Sequence, residues 1–406
     1  MKPDPAAVQI STYHYELPSH RIAEVPLASR DGSRLLIYEN GIIKEDIFRA
    51  LPEHLPAGAL LIANDSRVIE ARVLFKKISG GMIEIFCLEP IGFSFEEVMH
   101  QTHKVSWRCF IGGASKWKPG QVLQKKIYIR ASDAELQARY ITKDNEAFAI
   151  EFSWWPENVS FEEILHAAGS TPLPPYIKRK SSEADEERYQ TIFAQHPGSV
   201  AAPTAALHFT KDVFASLTSK NIRQHFITLH VGAGTFKPVK SETIREHLMH
   251  AESFQVSLQT LRELRNNGEI IAVGTTSLRT LESLYWMGVK LFRGAPSPFR
   301  LDQWEAYSLE PCISYKESLG FIINYLEEKR SNKVFCDTSL LIIPGYQFRS
   351  ARGLITNFHQ PHSTLLLLVA AFIGDDWKKV YEYALSNNFR FLSYGDSSLL
   401  WKQTFD

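Results

Sequence analysis

Apolar residues recur along this chain in two textures. In the first, short continuous runs are bounded by turn residues: 35–38 (LLIY), 59–63 (ALLIA), 226–231 (FITLHV), 270–273 (IIAV), 340–343 (LLII) and 354–356 (LIT). Runs of this length with no polar face predict strands covered on both sides. In the second, between Val73 and Trp155, short stretches alternate: ARVLFKKI, MIEIFCL, VSWRCFI, KKIYIRA and AFAIEFSW, broken by Ser79-Gly80-Gly81 and Gly112-Gly113. With no helical period inside it, this segment predicts a small antiparallel β-barrel. Strand–helix texture flanks it on both sides. The reading is therefore a barrel domain over 73–155, inserted in a discontinuous α/β domain over 1–72 and 156–406.

Caps mark the helices. Ser160 and Glu163 form a capping box for a helix through His166, closed by Gly169. Thr210 caps a helix through Phe214 and Leu217, Ser363 caps TLLLLVAAFIG, and an amphipathic helix over 257–267 ends at Gly268. Further helices run from the turn at Gly274-Thr275-Thr276-Ser277 through Met287, and over 316–329. Prolines hold TPLPPYI (171–177) extended, and 390–396 reads as a last strand and loop. The alternation predicts an α/β fold: a mainly parallel sheet flanked by helices, with the small antiparallel barrel inserted.

At 406 residues the chain is long enough for two domains. Its formal charge of +0 excludes a chain-wide attraction to nucleic acid, so any RNA contact must use a local basic patch. Cys87, Cys109, Cys312 and Cys336 form no CxxC pair and read as reduced thiols of a cytoplasmic protein. The start, MKPDPAAVQIS, lacks the apolar core of a signal peptide, and 365–373 is too short to span a bilayer.

Chemistry concentrates where strands end. In open α/β sheets ligands gather beyond the carboxyl ends of the strands. Five such exits carry polar sets: Asn64-Asp65-Ser66-Arg67, His230 with Gly232 and Gly234, Thr275-Thr276-Ser277-Arg279, Asn357 with His359, and Tyr394-Gly395-Asp396. The small-residue stretch GSVAAPTAALHFT (198–210) brings His208 beside a helix start and suits either a ligand floor or tight loop packing. GxGxxG, GxxxxGK[ST] and GxSxG are all missing, which weakens dinucleotide, P-loop and α/β-hydrolase readings. His247-Leu-Met-His250-Ala-Glu252 puts two histidines three apart, as on one helix face, but it is not HExxH and no third ligand is evident. A loop role for His250 and Glu252 near a ligand is the better functional reading, and a helix-end role for His247 is plainer still.

Taken together, the blocks YELPSHRIAEVPLASRDGSRLL, NDSRVIEAR, GGMIEI, LPPYIKR, RYQTIFA, GSVAAPTAALHFT, ITLHVGAGTFKPV, HLMHAE, VGTTSLRTLESL, IIPGY, LITNFHQPHSTLLLLVAAF and FRFLSYGD resemble, in order, the S-adenosylmethionine:tRNA ribosyltransferase-isomerase family of queuosine biosynthesis. The resemblance implies that the ribosyl part of S-adenosylmethionine moves to the aminomethyl group of a 7-deazaguanine in a tRNA anticodon. Adenine and methionine leave, and the sugar rearranges to give epoxyqueuosine. S-adenosylmethionine is then a consumed substrate, and neither cofactor nor metal is expected. A cytoplasmic monomer with no membrane partner is expected. Residues titrating near neutrality are needed, and His208, His230 and His359 are the candidates. Glu252 and Asp396 would orient a histidine or bind ribose hydroxyls. Thr204, Gly232, Gly234, Thr275, Thr276 and Asn357 would hold the donor, Arg279 would pair its carboxylate, and Tyr394 would stack on adenine. For each, a loop tie, an ion pair or plain packing is the alternative. Arg67, Arg72, Lys178, Arg179 and Arg188 are the candidate tRNA cations. Departures from the family pattern are Ala206 in place of glycine, Lys237 in place of glutamine, Gln360 and His362, and a long segment over 289–338. They leave open a retargeted or non-catalytic paralogue that binds RNA or an adenosyl ligand.

Overall fold

In a computed structural model, which describes residues 3–77, 79–144, 147–232, 239 and 241–402, the continuous apolar runs become central strands. The chain begins with β1 (Arg34–Glu39), β2 (Ile42–Ile47), β3 (Leu60–Asn64) and β4 (Ser66–Val68). It continues through β5 (Arg72–Lys76), β6 (Met82–Ile91), α1 (Phe95–Met99), β7 (Lys104–Gly112), β8 (Val122–Ile129), β9 (Ser132–Asp144), β10 (Ala147–Trp155), α2 (Phe161–Ala168) and β11 (Gly169–Ser170). Then come α3 (Glu183–Arg188), β12 (His196–Ser199), α4 (Lys211–Ser219), β13 (Arg223–Leu229), β14 (Glu252–Ser257), α5 (Leu258–Asn266), β15 (Ile270–Val273) and α6 (Thr275–Phe292). The last part holds β16 (Arg300–Leu301), α7 (Glu305–Ser308), α8 (Tyr315–Glu328), β17 (Lys333–Thr338), β18 (Gly353–Asn357), α9 (Thr364–Ile373), α10 (Trp377–Ser386) and β19 (Ser397–Trp401).

Ten strands form the large sheet, in the order β16-β17-β14-β13-β3-β15-β18-β19-β1-β2. Its middle, β13-β3-β15-β18, is parallel. Leu36, Leu60, Ile62, Ala272 and Leu354 face a core shared with α5, α6, α8 and α9. Their neighbours Leu35, Leu61, Ala63, Ile271 and Ile355 face a second core shared with α4. Adjacent residues point to opposite faces of a strand, so a run with no polar position requires cover on both faces. The capping boxes and caps at Ser160, Thr210, Ser257 and Ser363 begin the helices expected of them.

The sheet is mixed, with five of its nine neighbouring pairs parallel and four antiparallel. β19 runs antiparallel to β18, β14 antiparallel to β13 and β17, and β2 antiparallel to β1. At β1–β2 the cause is local: Asn40 and Gly41 both take positive φ (46° and 82°), the backbone of a two-residue hairpin. Residues 340–343 are not a strand. Their backbone is met largely by side chains instead: Leu340 N–H donates to Thr338 Oγ1 (3.1 Å), Ile343 N–H donates to the Tyr307 hydroxyl (3.0 Å), and that hydroxyl donates to Leu341 C=O (2.8 Å), while Leu341 N–H donates to the Gln303 carbonyl (3.4 Å). Residues 390–396 are loop apart from a bridge of Phe391 to Ile22, and the strand follows them.

The second sheet is antiparallel and curled, in the order β11-β5-β6-β7-β10-β9-β8, around its own core centred on Trp107, Phe152 and Phe161. Gly169, in β11, packs against the backbone of Glu70 just ahead of β5. A Cβ there would lie 1.9 Å from the Glu70 carbonyl oxygen, so only glycine lets the chains approach this closely. All four cysteines are free thiols, and among the described residues no helix is long and apolar enough to cross a membrane.

Candidate active site

Because β13, β3, β15 and β18 are parallel, their carboxyl ends share one edge of the sheet. β19 starts at that edge because it runs antiparallel to β18, which brings 390–396 to the same rim. A cleft opens there, with about 700 Å³ of space that includes its open mouth. Ala201 to Ala205 form one wall and Val231 closes the end of β13. Gly274, Thr275 and Thr276 face Thr356 to Gln360 across it, with Ser363, Tyr176, Leu392 and Ser393 completing the lining.

Gly274 caps α6 with φ +93°, a backbone that side-chain-bearing residues seldom adopt. It turns the first turn of an 18-residue helix onto the cleft. The first N–H groups of a helix have no partner within it and carry partial positive charge, which suits a negatively charged ligand group. Opposite, Asn357 Nδ2 donates to the carbonyls of Leu392 (2.9 Å) and Ser393 (3.2 Å), which fixes its Oδ1 as an acceptor. His208 Nε2 lies 3.1 Å from that Oδ1. Nε2 therefore carries the proton, and Nδ1 accepts from Ser33 Oγ at 2.9 Å. Burial lowers the His208 pKa to about 4, so the ring is neutral at pH 7.

His359 lines the cleft, with Nε2 2.9 Å from Thr356 Oγ1. Its backbone is held on both sides, the N–H donating to the Tyr381 hydroxyl at 3.0 Å and the C=O accepting from Tyr15. Burial pushes its pKa down to about 3. His230 stands just outside the lining. It stacks on Phe95 (centroids 4.8 Å apart) and lies against the backbone of Gly198. Its Nδ1 is buried with no partner among the described residues, and burial lowers its pKa to about 4.

Of the residues singled out from sequence, Thr204, Thr275, Thr276, Asn357 and His359 meet in the cleft. Others stand behind it, held by named partners. Arg279 forms a buried ion pair with Glu252, and burial lowers the guanidinium pKa to about 10. Gly232 N–H donates to the other oxygen of Glu252 at 3.4 Å. Asp396 accepts from the backbone of Arg34 (3.2 Å) and Arg390 (2.8 Å). The Tyr394 hydroxyl donates to Asp185 at 2.8 Å. Asp185 is buried, which alone would raise its pKa, but hydrogen bonds from Arg179, Ser182 and Tyr394 hold it well below the carboxylate range. Gly234 and Lys237 lie outside the described residues.

The expected cations are also distributed. Arg67 pairs with Glu162, Arg72 with Glu84 (3.4 Å), and Arg179 spans both oxygens of Asp185 (2.6 and 2.7 Å). Arg188 donates to the carbonyls of Leu27 and Ala28, and Lys178 is exposed. His247 to Glu252 is not helical: His247 ends a short 3₁₀ turn, His250 is exposed, and Glu252 begins β14. Among the described residues no group of three or more His, Cys, Asp or Glu side chains is placed to hold a metal. Ala206 faces the core shared with α4 rather than the cleft, so its methyl does not crowd the ligand space. Gln360 does line the cleft. Sequence reasoning missed Tyr176, whose hydroxyl lies 2.5 Å from Ser393 Oγ, and Ser33. The proline-bound tyrosine of TPLPPYI was the available signal for the first, and nothing marked the second.

The fold and the rim define an α/β protein with a ligand cleft at the carboxyl edge of its sheet. Residues 10–400 match the family described as Queuosine biosynthesis protein, and the chain belongs to that family. It is 36% identical over 398 residues to the S-adenosylmethionine:tRNA ribosyltransferase-isomerase of Azoarcus sp. (strain BH72), covering 97% of each chain. The enzyme of that name from Xanthomonas euvesicatoria pv. vesicatoria (strain 85-10) is also 36% identical over 398 residues, with 96% of each covered. That from Magnetococcus marinus is 35% identical over 400 residues, 97% of this chain and 94% of its own. A crystal structure of S-adenosylmethionine tRNA ribosyltransferase from Thermotoga maritima matches at 27% identity and a TM-score of 0.45, covering 96% of this chain and 99% of that one.

Proposed function

We propose that this chain transfers and isomerises the ribosyl part of S-adenosylmethionine onto the aminomethyl group of a 7-deazaguanine in a tRNA anticodon. Epoxyqueuosine-tRNA forms, and adenine and methionine are released. The observation that carries this reading is the facing of Thr275 and Thr276, at the start of α6, with Asn357 and His359 across one cleft, in a chain of this family. The start of α6 suits the methionine carboxylate. The reaction needs a group that takes a proton from the ribose carbon acidified by the sulfonium, and a neutral attacking amine. His359 is assigned the first role: it lines the cleft and burial keeps it neutral, hence with a lone pair, at pH 7. His208 is assigned the positioning of Asn357, which holds the donor. The Arg279–Glu252 pair supports the rim from behind rather than touching the donor. S-adenosylmethionine is consumed, and no resident cofactor enters the scheme.

The test mixes the protein, S-adenosylmethionine and tRNA bearing the aminomethyl base, and follows adenine by chromatography and the nucleoside by mass. Adenine formed one-for-one with modified nucleoside supports the reading. RNA or adenosyl binding with no adenine release makes the chain a binding paralogue.

A further inference from the structure

Behind Asn357 and Ser393 lies a second hollow of about 290 Å³, whose wall includes Leu27, Arg30, Arg188, His208, Arg390 and Tyr394. Its cations are held in an uncommon way. Arg30 donates to the carbonyls of Gln190 (2.7 Å), Leu207 (3.3 Å) and Glu187 (2.7 Å). Arg188 donates to the carbonyls of Ala28 (3.1 Å) and Leu27 (2.7 Å). Neither pairs with a carboxylate among the described residues. Arg390 alone has one, Asp396 at 3.1 Å. Burial first, and then the charge of Arg188, lower the pKa of Arg30, with Glu187 opposing in part.

Two guanidinium groups fixed by carbonyls, beside a third, form a site that an oxyanion would complete, since the planar fork matches phosphate and carboxylate geometry. The hollow adjoins the cleft at the His208–Asn357 contact and the shared Ser393. Its wall includes Leu27, 36% exposed, and Val25, 59% exposed, lies two residues before it. That placement favours a group arriving from outside over one tethered to the donor within the cleft.

We infer that the hollow walled by Arg30, Arg188 and Arg390 binds one phosphodiester of the RNA strand whose neighbouring base enters the cleft. This rests on the reading of the cleft given under Proposed function. The donor's carboxylate is the other source of the same chemistry, and a purely structural tie of 24–30 to 185–190 is the remaining alternative.

The experiment measures equilibrium binding of an anticodon stem-loop RNA to the full chain across a salt series, without turnover. Arg188→Gln is expected to weaken RNA binding about tenfold and to lower the slope of log K against log salt by about 0.7–1, one phosphate's worth. S-adenosylmethionine affinity stays unchanged. Arg188→Lys keeps the slope. In a second measurement, which needs no variant to fold, single linkages flanking the target nucleotide are replaced by neutral methylphosphonates. One linkage is expected to weaken binding to the wild-type chain by a similar factor; where Arg188→Gln folds, it should be blind to that linkage.

The inference is overturned if no linkage matters, if the salt slope is the same with and without Arg188, or if S-adenosylmethionine affinity falls while RNA binding holds. Wild-type RNA binding with a sensitive linkage but no adenine release would sink the reaction proposed above and leave the hollow. Adenine release with RNA binding indifferent to Arg188 would sink the hollow alone.

Discussion

The imidazole of His208 and the amide of Asn357 hold each other in a single arrangement. Nε2 donates to Oδ1 at 3.1 Å, while the amide nitrogen is committed to two carbonyls of the 392–393 loop. In the proposed reaction a histidine buried in this way acts through the residue it orients.

Replacing it should therefore separate binding from turnover. His208→Ala leaves Asn357 Oδ1 and Ser33 Oγ without partners, each a cost of about 1–3 kcal/mol. We expect adenine release to fall at least tenfold in single-turnover assays, with His208→Gln restoring part of the rate because its amide can still donate to Asn357. Equal loss in both variants would place the ring in the chemistry itself.

The Arg279–Glu252 pair is buried on both sides, 7% and 6% exposed. Removing one member leaves the other charge unpaired in a low-dielectric site, at a cost of about 3–5 kcal/mol. Arg279→Met and Glu252→Gln should each lower the denaturant midpoint sharply. The double variant should be more stable than either. Additive losses would show that the two charges do not depend on one another.

Gly198 has φ +141°, and a Cβ there would lie 2.6 Å from His230 Nδ1 and 3.0 Å from Phe95 Cβ. Gly198→Ala must displace the His230 ring or the α1 segment in addition to straining the backbone, by about 1–3 kcal/mol. A lowered thermal midpoint with loss of the His230–Phe95 stack, read from imidazole NMR signals, is the expected outcome.

Acid should weaken the fold through its buried histidines, beginning as pH falls below 6.5. Burial lowers His208, His230 and His359 from 6.5 to between about 3 and 4. Below pH 6.5 the unfolded chain therefore binds more protons than the folded one. The contribution is full above about pH 6.5, falls as pH drops, and is lost near pH 4, on the order of 3 kcal/mol for His208 alone. Denaturant midpoints across pH 4–7 test this. A His208→Gln chain should show a shallower slope than the parent.

Much of the fold was legible because strand runs such as 59–63 and 270–273 have no polar face, and caps such as Thr210 and Ser363 act within a turn. Strand direction was not. It depends on which distant strand is the neighbour, and no local pattern tells that β19 lies antiparallel to β18. Residues 340–343 show the same limit: LLII is as apolar as any strand, but the Tyr307 hydroxyl, over thirty residues away, takes the place of a ladder. At the site, polar residues just after parallel strands were readable as rim. Which of them face the cleft was not. Arg279 sits one helical turn from Thr275 yet turns to Glu252, and the difference between a ligand contact and an ion pair is made by a residue on another strand.

The position of β19 also bears on how the chain is made. β19 lies inside the sheet, between β18 and β1, although β1 and β2 precede it in the chain by more than 300 residues. A ribosome-tethered chain cannot seat the β1–β2 hairpin beside β19 until β19 has emerged. The curled sheet, contiguous in sequence, can form long before that. Nascent chains stalled short of residue 397 should expose an unfilled slot in the large sheet, with a gap where the rim loop 390–396 is anchored.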